Sequence, residues 1–412
     1  MSDIYLGDCR EVRSALPDNS VDTIITDPPY GLEFMGKGWD KGVPGVEFWK
    51  EFLAVAKPGA MLLAFGGTRT FHRMTAAIED SGWEIRDCMM WLYGSGFPKS
   101  LDISKAIDKA KGAEREVVGI SANDRPASQV KGGKAFDRGL DEGQEHQTLT
   151  ITAPATGLAK QWNGWGTALK PAWEPIIVAM KPLDGTFAEN AEKWGVAGIN
   201  VDGGRIGTDE IKSATIQRNG GIWASDGEGG ARHNGNGTSN PQGRWPANLL
   251  LDEEAAAMLD GQSGTLKSHG GGQSSFGGMF GNKKPAAQTF ASEGGASRFF
   301  YCAKASRTER NRGCEGLPQR PSGMVSENSG QHITRRDGDA PEPSANHHPT
   351  VKPLKLMEYL CTLTKTPTGG IVLDPFAGSG TTLLAAKNTG REYIGIEQNP
   401  EYFEIIKARL GV

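Results

Sequence analysis

Strand-like and helix-like segments alternate at both ends of the chain, yet neither end carries enough strands to complete a sheet by itself. Near the start, Asp3–Leu6, Val21–Thr26, 60–65 and 83–92 read as strands, with helical spacing of apolar residues over 47–56 and 68–80. The last sixty residues resume the rhythm: helix 354–364, strand 370–373, helix Thr381–Asn388, strand 393–396 and helix 401–410. One further strand is expected at 172–180. Such alternation demands right-handed crossovers and a parallel sheet covered on both faces. The ends together supply about seven strands, so the sequence predicts one α/β domain, a mostly parallel seven-stranded sheet, interrupted by a large loop-rich insertion. The expected divisions are 1–100, a polar insertion over 101–160, the returning strand within 161–183, a Gly-rich region over 184–345, and 346–412.

Composition narrows the class without naming a function. The 412 residues are 37% hydrophobic and 23% charged with a net charge of −4, which suits a folded core rather than a disordered chain. No apolar stretch is long enough to span a bilayer, and the N-terminus lacks the pattern of a secretory signal. Five scattered cysteines without a C-x-x-C pair argue against a disulfide framework or zinc ribbon and for a reducing, cytoplasmic setting; no metal is expected. Of the 57 glycines, 21 fall in residues 201–300, which read as loops around a few short elements.

Two loops at strand ends carry the chemistry. Asp27-Pro28-Pro29-Tyr30 follows the strand VDTIIT, the edge where open α/β sheets bind ligands. Two prolines stiffen the backbone and remove two N–H donors, leaving carbonyls free to accept. A carboxylate, a rigid carbonyl and an aromatic ring side by side suit a planar heterocycle with an exocyclic amine: Asp27 and the Pro28 carbonyl accept its N–H bonds and Tyr30 stacks on its face. The competing reading is a Pro-Pro turn with a helix-capping Asp. The second loop, Asp374-Pro375-Phe376-Ala377-Gly378-Ser379-Gly380-Thr381, is again strand, glycine turn, helix, and it offers unpaired N–H groups to polar ligand atoms. It lacks the Lys of a P-loop. Glu397, about twenty residues on at the end of the next strand, is placed to bind ribose hydroxyls.

With these residues the chain resembles the S-adenosylmethionine-dependent DNA amino-methyltransferases, which modify adenine N6 or cytosine N4. DPPY looks like their catalytic motif, DPFAGSGTT like their cofactor loop, and His348-Pro349-Thr350-Val351-Lys352-Pro353 like the motif leading into it. The order of motifs resembles the circularly permuted beta class, and the resemblance covers about 1–100, 160–182 and 345–412, with a target-recognition region between. It implies a Rossmann-like methyltransferase fold and S-adenosylmethionine as cofactor. The implied catalytic set is Asp27, Pro28, Pro29 and Tyr30. The implied cofactor set is Asp8 at the adenine, Glu397 at the ribose and Asp374 at the methionine amine, with Asp27, Thr350, Lys352, Phe376, Gly378, Gly380 and Thr381 around them.

The reaction so implied is direct displacement on the sulfonium methyl by the amine of a flipped base in double-stranded DNA. Adenine N6 is preferred over cytosine N4 because Asp, not Ser, precedes Pro-Pro-Tyr. Covalent C5 chemistry is rejected, since no cysteine follows a proline. For DNA contacts, 298–336 carries a net five positive charges, with Arg298, Lys304, Arg307, Arg310 and Arg312 at its head; a solvated surface is the bland alternative. A homodimer and a separate restriction endonuclease are compatible partners. A non-catalytic DNA-binding protein on a methyltransferase fold, and RNA or protein-glutamine methylation, remain alternatives.

Overall fold

The computed structural model describes residues 2–32, 42–94, 96, 100–120, 150–207, 243–268, 292–303, 307–321 and 343–412. These fall into two compact units. The larger comprises residues 1–94, 173–318 and 350–412, and the smaller 95–172 and 319–349.

The larger unit is built on a nine-stranded sheet. In spatial order its strands are Asp3–Leu6, Glu392–Glu397, Ile371–Asp374, Val21–Thr26, Ala56–Phe65, Trp173–Met180, Glu84–Leu92, Leu249–Asp252 and Tyr301–Ala303. All pairings are parallel except those of Trp173–Met180, which runs antiparallel to both neighbours. The mostly parallel α/β architecture is as expected. Two short strands beyond the expected seven, Leu249–Asp252 and Tyr301–Ala303, extend one edge.

Period-two alternation explains why the central strands carry apolar residues at positions of both parities. Ile25, Met61, Leu63 and Phe65 enter one core with the helices Leu354–Leu363 and Thr381–Asn388. Ile24, Leu62 and Ala64 enter another with Val46–Val55 and Phe71–Asp80. Residues of both parities are therefore removed from water, and each large aliphatic or aromatic side chain so buried contributes about 1.5–3 kcal/mol. Among the described residues, no helix is long and apolar enough to cross a membrane.

The smaller unit contains the helix Ile103–Ala110, an antiparallel pair formed by Val117–Ile120 and Thr150–Thr152, and the helix Gly157–Gln161. Its internal tie is the buried Asp108, which accepts from Arg115 Nη1 at 2.6 Å, from the Ala155 and Thr156 N–H groups and from the Thr156 hydroxyl. Burial alone would raise this carboxyl, but those donors hold it down at about 2.

Candidate active site

The chain leaves the Ile371–Asp374 strand toward Glu392–Glu397 and leaves the adjacent Val21–Thr26 strand in the opposite direction, toward Ala56–Phe65. Connections that diverge from neighbouring parallel strands open a crevice at their carboxyl ends. Asp374 and Asp27 flank that crevice. Asp8 and Glu397 follow the next two strands outward, so four carboxylates end or follow four adjacent parallel strands in the order Asp8, Glu397, Asp374, Asp27. Strands lie about 4.8 Å apart, which makes this a row of acceptors rather than a point cluster.

On the glycine-turn side, Asp374 is only 2% exposed and accepts the Phe376 N–H at 3.1 Å; burial pushes its carboxyl up to about 6. Gly378 and Gly380 have φ of 55° and 74°, a left-handed pair that only glycine adopts readily. Gly380 caps the helix Thr381–Asn388 without a side chain, so the turn comes close to the helix N-terminus. Glu397 accepts the Gly378 N–H at 2.8 Å on one oxygen and the Asn399 N–H at 2.8 Å on the other, and burial pushes it up to about 7. Each of its oxygens retains a lone pair. Phe376 stacks on Phe48 with ring centres 5.2 Å apart. The Thr381 hydroxyl is engaged from behind by Arg409 Nη1 at 2.9 Å, which also grips the Ser379 carbonyl. Asp8 caps the short helix after the first strand and pairs with Arg10, whose hydrogen bonds hold its carboxyl low. Because that pair is exposed, a ligand can displace it at small cost.

The other side of the crevice is a four-residue network. Tyr30 donates its hydroxyl to Asp27 Oδ1 at 2.7 Å, and the Lys352 ammonium donates to Asp27 Oδ2 at 2.8 Å. Lys352 also pairs with Glu174 Oε2 at 3.2 Å, and the Tyr30 hydroxyl lies 3.4 Å from the same oxygen. Burial would lower the Lys352 ammonium, but the Asp27 and Glu174 carboxylates outweigh it and raise its pKa. Burial, then the same two carboxylates, drive the Tyr30 phenol well above its ordinary value. Thr70 holds the loop by donating its hydroxyl to the Tyr30 carbonyl at 2.6 Å. Pro28 is buried and Pro29 half-buried.

The expected residues therefore fall on both sides of one crevice, and Lys352 joins the Asp27 side. Thr350 is exposed, two residues before it. Of the expected DNA contacts, Lys304 and the Arg307 side chain lie outside the described residues. Arg298 donates to the Gly294 and Gly295 carbonyls and covers the Phe299 ring, whereas Arg310 is half-buried and Arg312 exposed. Arg335, Arg336 and most of the Gly-rich segment also lie outside. Sequence reasoning missed Glu174 and Arg409. Glu174 precedes the apolar run PIIVAM, but it reaches the carboxyl edge only because that strand is antiparallel, a direction that spacing does not reveal.

A family model described as DNA methylase, of the N6/N4 methyltransferases, matches residues 21–408. Local matches accompany it. The Type II methyltransferase M.HindIII of Haemophilus influenzae is 53% identical over 66 residues, 16% of this chain and 21% of that protein. M2.DpnII of Streptococcus pneumoniae is 48% identical over 66 residues, 16% of this chain and 24% of that protein. The Escherichia coli protein named DNA adenine methyltransferase YhdJ is 48% identical over 66 residues, 16% of this chain and 22% of that protein. The matched region thus spans less than a quarter of the length of these three relatives. Among solved structures, M1.HpyAVI aligns over 100% of both chains at 16% identity with a TM-score of 0.40. The cytosine-N4-specific PvuII DNA methyltransferase aligns over 99% of this chain and 85% of that one, at 14% identity with a TM-score of 0.42.

Proposed function

The chain belongs to the N6/N4 DNA methylase family, and from that premise we propose that it transfers a methyl group from S-adenosylmethionine to the exocyclic amine of a base in double-stranded DNA, at adenine N6. The observation that carries the reading is the row of carboxylates Asp8, Glu397, Asp374 and Asp27 across four adjacent strands. In sequence they suit the adenine amine, the ribose diol and the methionine ammonium of the methyl donor, and then the amine to be methylated. The donor set fits: the cofactor's hydrogen-bond donors meet acceptors, and the glycine turn lets backbone come close.

S-adenosylmethionine, when bound, supplies a methyl activated by its sulfonium sulfur. The protein's own contribution is placement. Asp27 and the Pro28 carbonyl accept the two N–H bonds of the target amine and turn its lone pair toward the methyl. Nitrogen forms the new N–C bond as the S–C bond breaks with its electrons on sulfur, and the surplus proton passes from nitrogen to water. Flipping the base costs a few kcal/mol, which stacking on Tyr30, at about 1–3 kcal/mol, offsets in large part. Adenine is favoured by Asp before Pro-Pro-Tyr and by the name of the E. coli relative.

The test incubates wild-type protein and Asp27→Ala with labelled S-adenosylmethionine and unmodified plasmid DNA, followed by nucleoside mass spectrometry. N6-methyladenine is expected, with a loss of at least about 100-fold in the variant, as for other positioned hydrogen-bonding groups. N4-methylcytosine would keep the mechanism and overturn the base. No methylated nucleoside, despite binding of S-adenosylhomocysteine, would overturn the reading.

A further inference from the structure

The Asp27 carboxylate has both oxygens engaged before any base arrives, Oδ1 by the Tyr30 hydroxyl and Oδ2 by the Lys352 ammonium. An acceptor meant for an incoming amine is thus already covered by a cation. Lys352 is confined: its side chain is 10% exposed, and its ammonium lies 4.9 Å from the centre of the Phe65 ring and 5.6 Å from that of Tyr30. Among the described residues, the alternative anion within reach is Glu174, whose Oε2 is 3.2 Å from Nζ. Lys352 also donates to the Tyr30 hydroxyl at 3.2 Å, and Tyr93 faces the group as well: burial and then Glu174 raise its phenol while Lys352 lowers it, but Tyr93 is not a hydrogen-bond partner of Lys352.

We infer that Glu174 is a positioning residue for methyl transfer, holding the Lys352 ammonium when the target amine claims Asp27 Oδ2, so that Lys352 serves as a placeholder handed between two carboxylates. This rests on the proposed amine methylation. The exchange involves no covalent change. One N–H···O contact, Lys352 to Asp27, is replaced by the amine's own N–H, and the Lys352 to Glu174 contact shortens in compensation. Without Glu174 the same movement would strand a buried cation with no counter-ion, an expensive arrangement. Lys352 would then stay on Asp27 and compete with the substrate. Tyr30 strengthens the coupling, because its hydroxyl reaches both carboxylates at 2.7 and 3.4 Å and can follow the ammonium.

The test compares Glu174→Gln, Lys352→Met and the double variant, with unmodified plasmid DNA and labelled S-adenosylmethionine, and measures S-adenosylhomocysteine affinity by calorimetry. Glu174→Gln should lower kcat by about 10- to 100-fold, the scale of a misplaced reacting group, while KM for the cofactor and the calorimetric affinity stay within twofold of wild type. The double variant, which leaves no stranded charge, should be at least as active as Glu174→Gln alone, so the two losses should not multiply. A kcat for Glu174→Gln within twofold of wild type overturns the inference, as does a double variant whose loss is the product of the single losses. Should Glu174→Gln lose cofactor binding altogether, the comparison of Lys352→Met with the double variant decides: equal or better activity in the double supports the coupling, and a multiplied loss overturns it. Wild-type protein that methylates no DNA in the same assay marks failure of the methylation reading instead, so the two failures are distinguishable.

Discussion

Glu397 holds two backbone N–H groups yet is pushed up to about 7 by burial, from an unfolded value near 4.5. A carboxyl raised by folding contributes stability that is fully present below the unfolded value and is lost as pH rises through about 7. On the proposed placement of the cofactor, hydrogen bonds donated to Glu397 by the ribose diol favour its ionised form, so binding releases the proton that the ligand-free carboxyl retains. S-adenosylhomocysteine affinity should therefore increase about tenfold between pH 6 and pH 8, one proton being linked across that window. Glu397→Gln should bind more weakly and flatten that slope, as isothermal calorimetry across the range can measure; a wild-type slope surviving in the variant would place the titration elsewhere. Asp374, raised to about 6 by burial, adds its own rise at the lower end of the window. Acceptors of this kind were readable in the sequence because each follows a strand and precedes a turn. Their mutual order was not, since it is set by which strands become neighbours, and Glu174 stayed hidden for the same reason.

The element that presents the glycine turn is the helix Thr381–Asn388, and its seat is a single missing side chain. A Cβ on Gly395, in the Glu392–Glu397 strand, would stand 2.2 Å from Leu383 Cδ1, and Leu383 is fully buried. Gly395→Ala should push the helix off the strand, cost roughly 1–3 kcal/mol as overpacking does, and weaken S-adenosylhomocysteine binding because Gly378 and Gly380 move with the helix. Gly157→Ala, where a Cβ meets open space, is the control and should leave melting temperature and affinity unchanged. Equal behaviour of the two variants would mean that the helix seat does not govern the turn. The same strands show what local pattern can and cannot convey. Asp3–Leu6 and Val21–Thr26 match their expected bounds, because short runs rich in β-branched and aromatic residues define them. The strand Ala56–Phe65 begins four residues earlier than expected: Lys57-Pro58-Gly59 reads as a turn, but a register shift against Val21–Thr26 and a left-handed Gly59 let the pairing pass through it. Leu249–Asp252 and Tyr301–Ala303 are four and three residues long in glycine-rich surroundings, too short for alternation to register, and they exist by pairing with Glu84–Leu92 and with each other.

Across the larger unit, the first and last segments are joined by buried polar contacts as well as by the sheet. Arg391, 4% exposed, donates to the Cys361 carbonyl, the Thr364 hydroxyl and, across to the N-terminal segment, the Thr23 hydroxyl at 2.9 Å. Asp22 reaches the other way, accepting the Ile371 N–H at 2.7 Å while Lys57 pairs with its second oxygen. Removing the guanidinium leaves several buried acceptors unsatisfied, so Arg391→Met should cost about 3 kcal/mol. Tryptophan placement turns this into a test of cooperativity. Trp49, Trp83 and Trp91 are buried in the N-terminal segment, and no tryptophan follows Trp245. A change at residue 391 can move the fluorescence transition in urea only if both segments unfold together. The fluorescence and far-UV midpoints of Arg391→Met should fall by the same amount, with S-adenosylhomocysteine raising both. A fluorescence midpoint held at the wild-type value, beside a separate far-UV step, would mean that the C-terminal segment opens alone. The persistence of the row of carboxylates from Asp8 to Asp27 would then be set by the less stable segment, because Glu397 and Asp374 belong to the segment that opens and Asp8 and Asp27 to the one that does not.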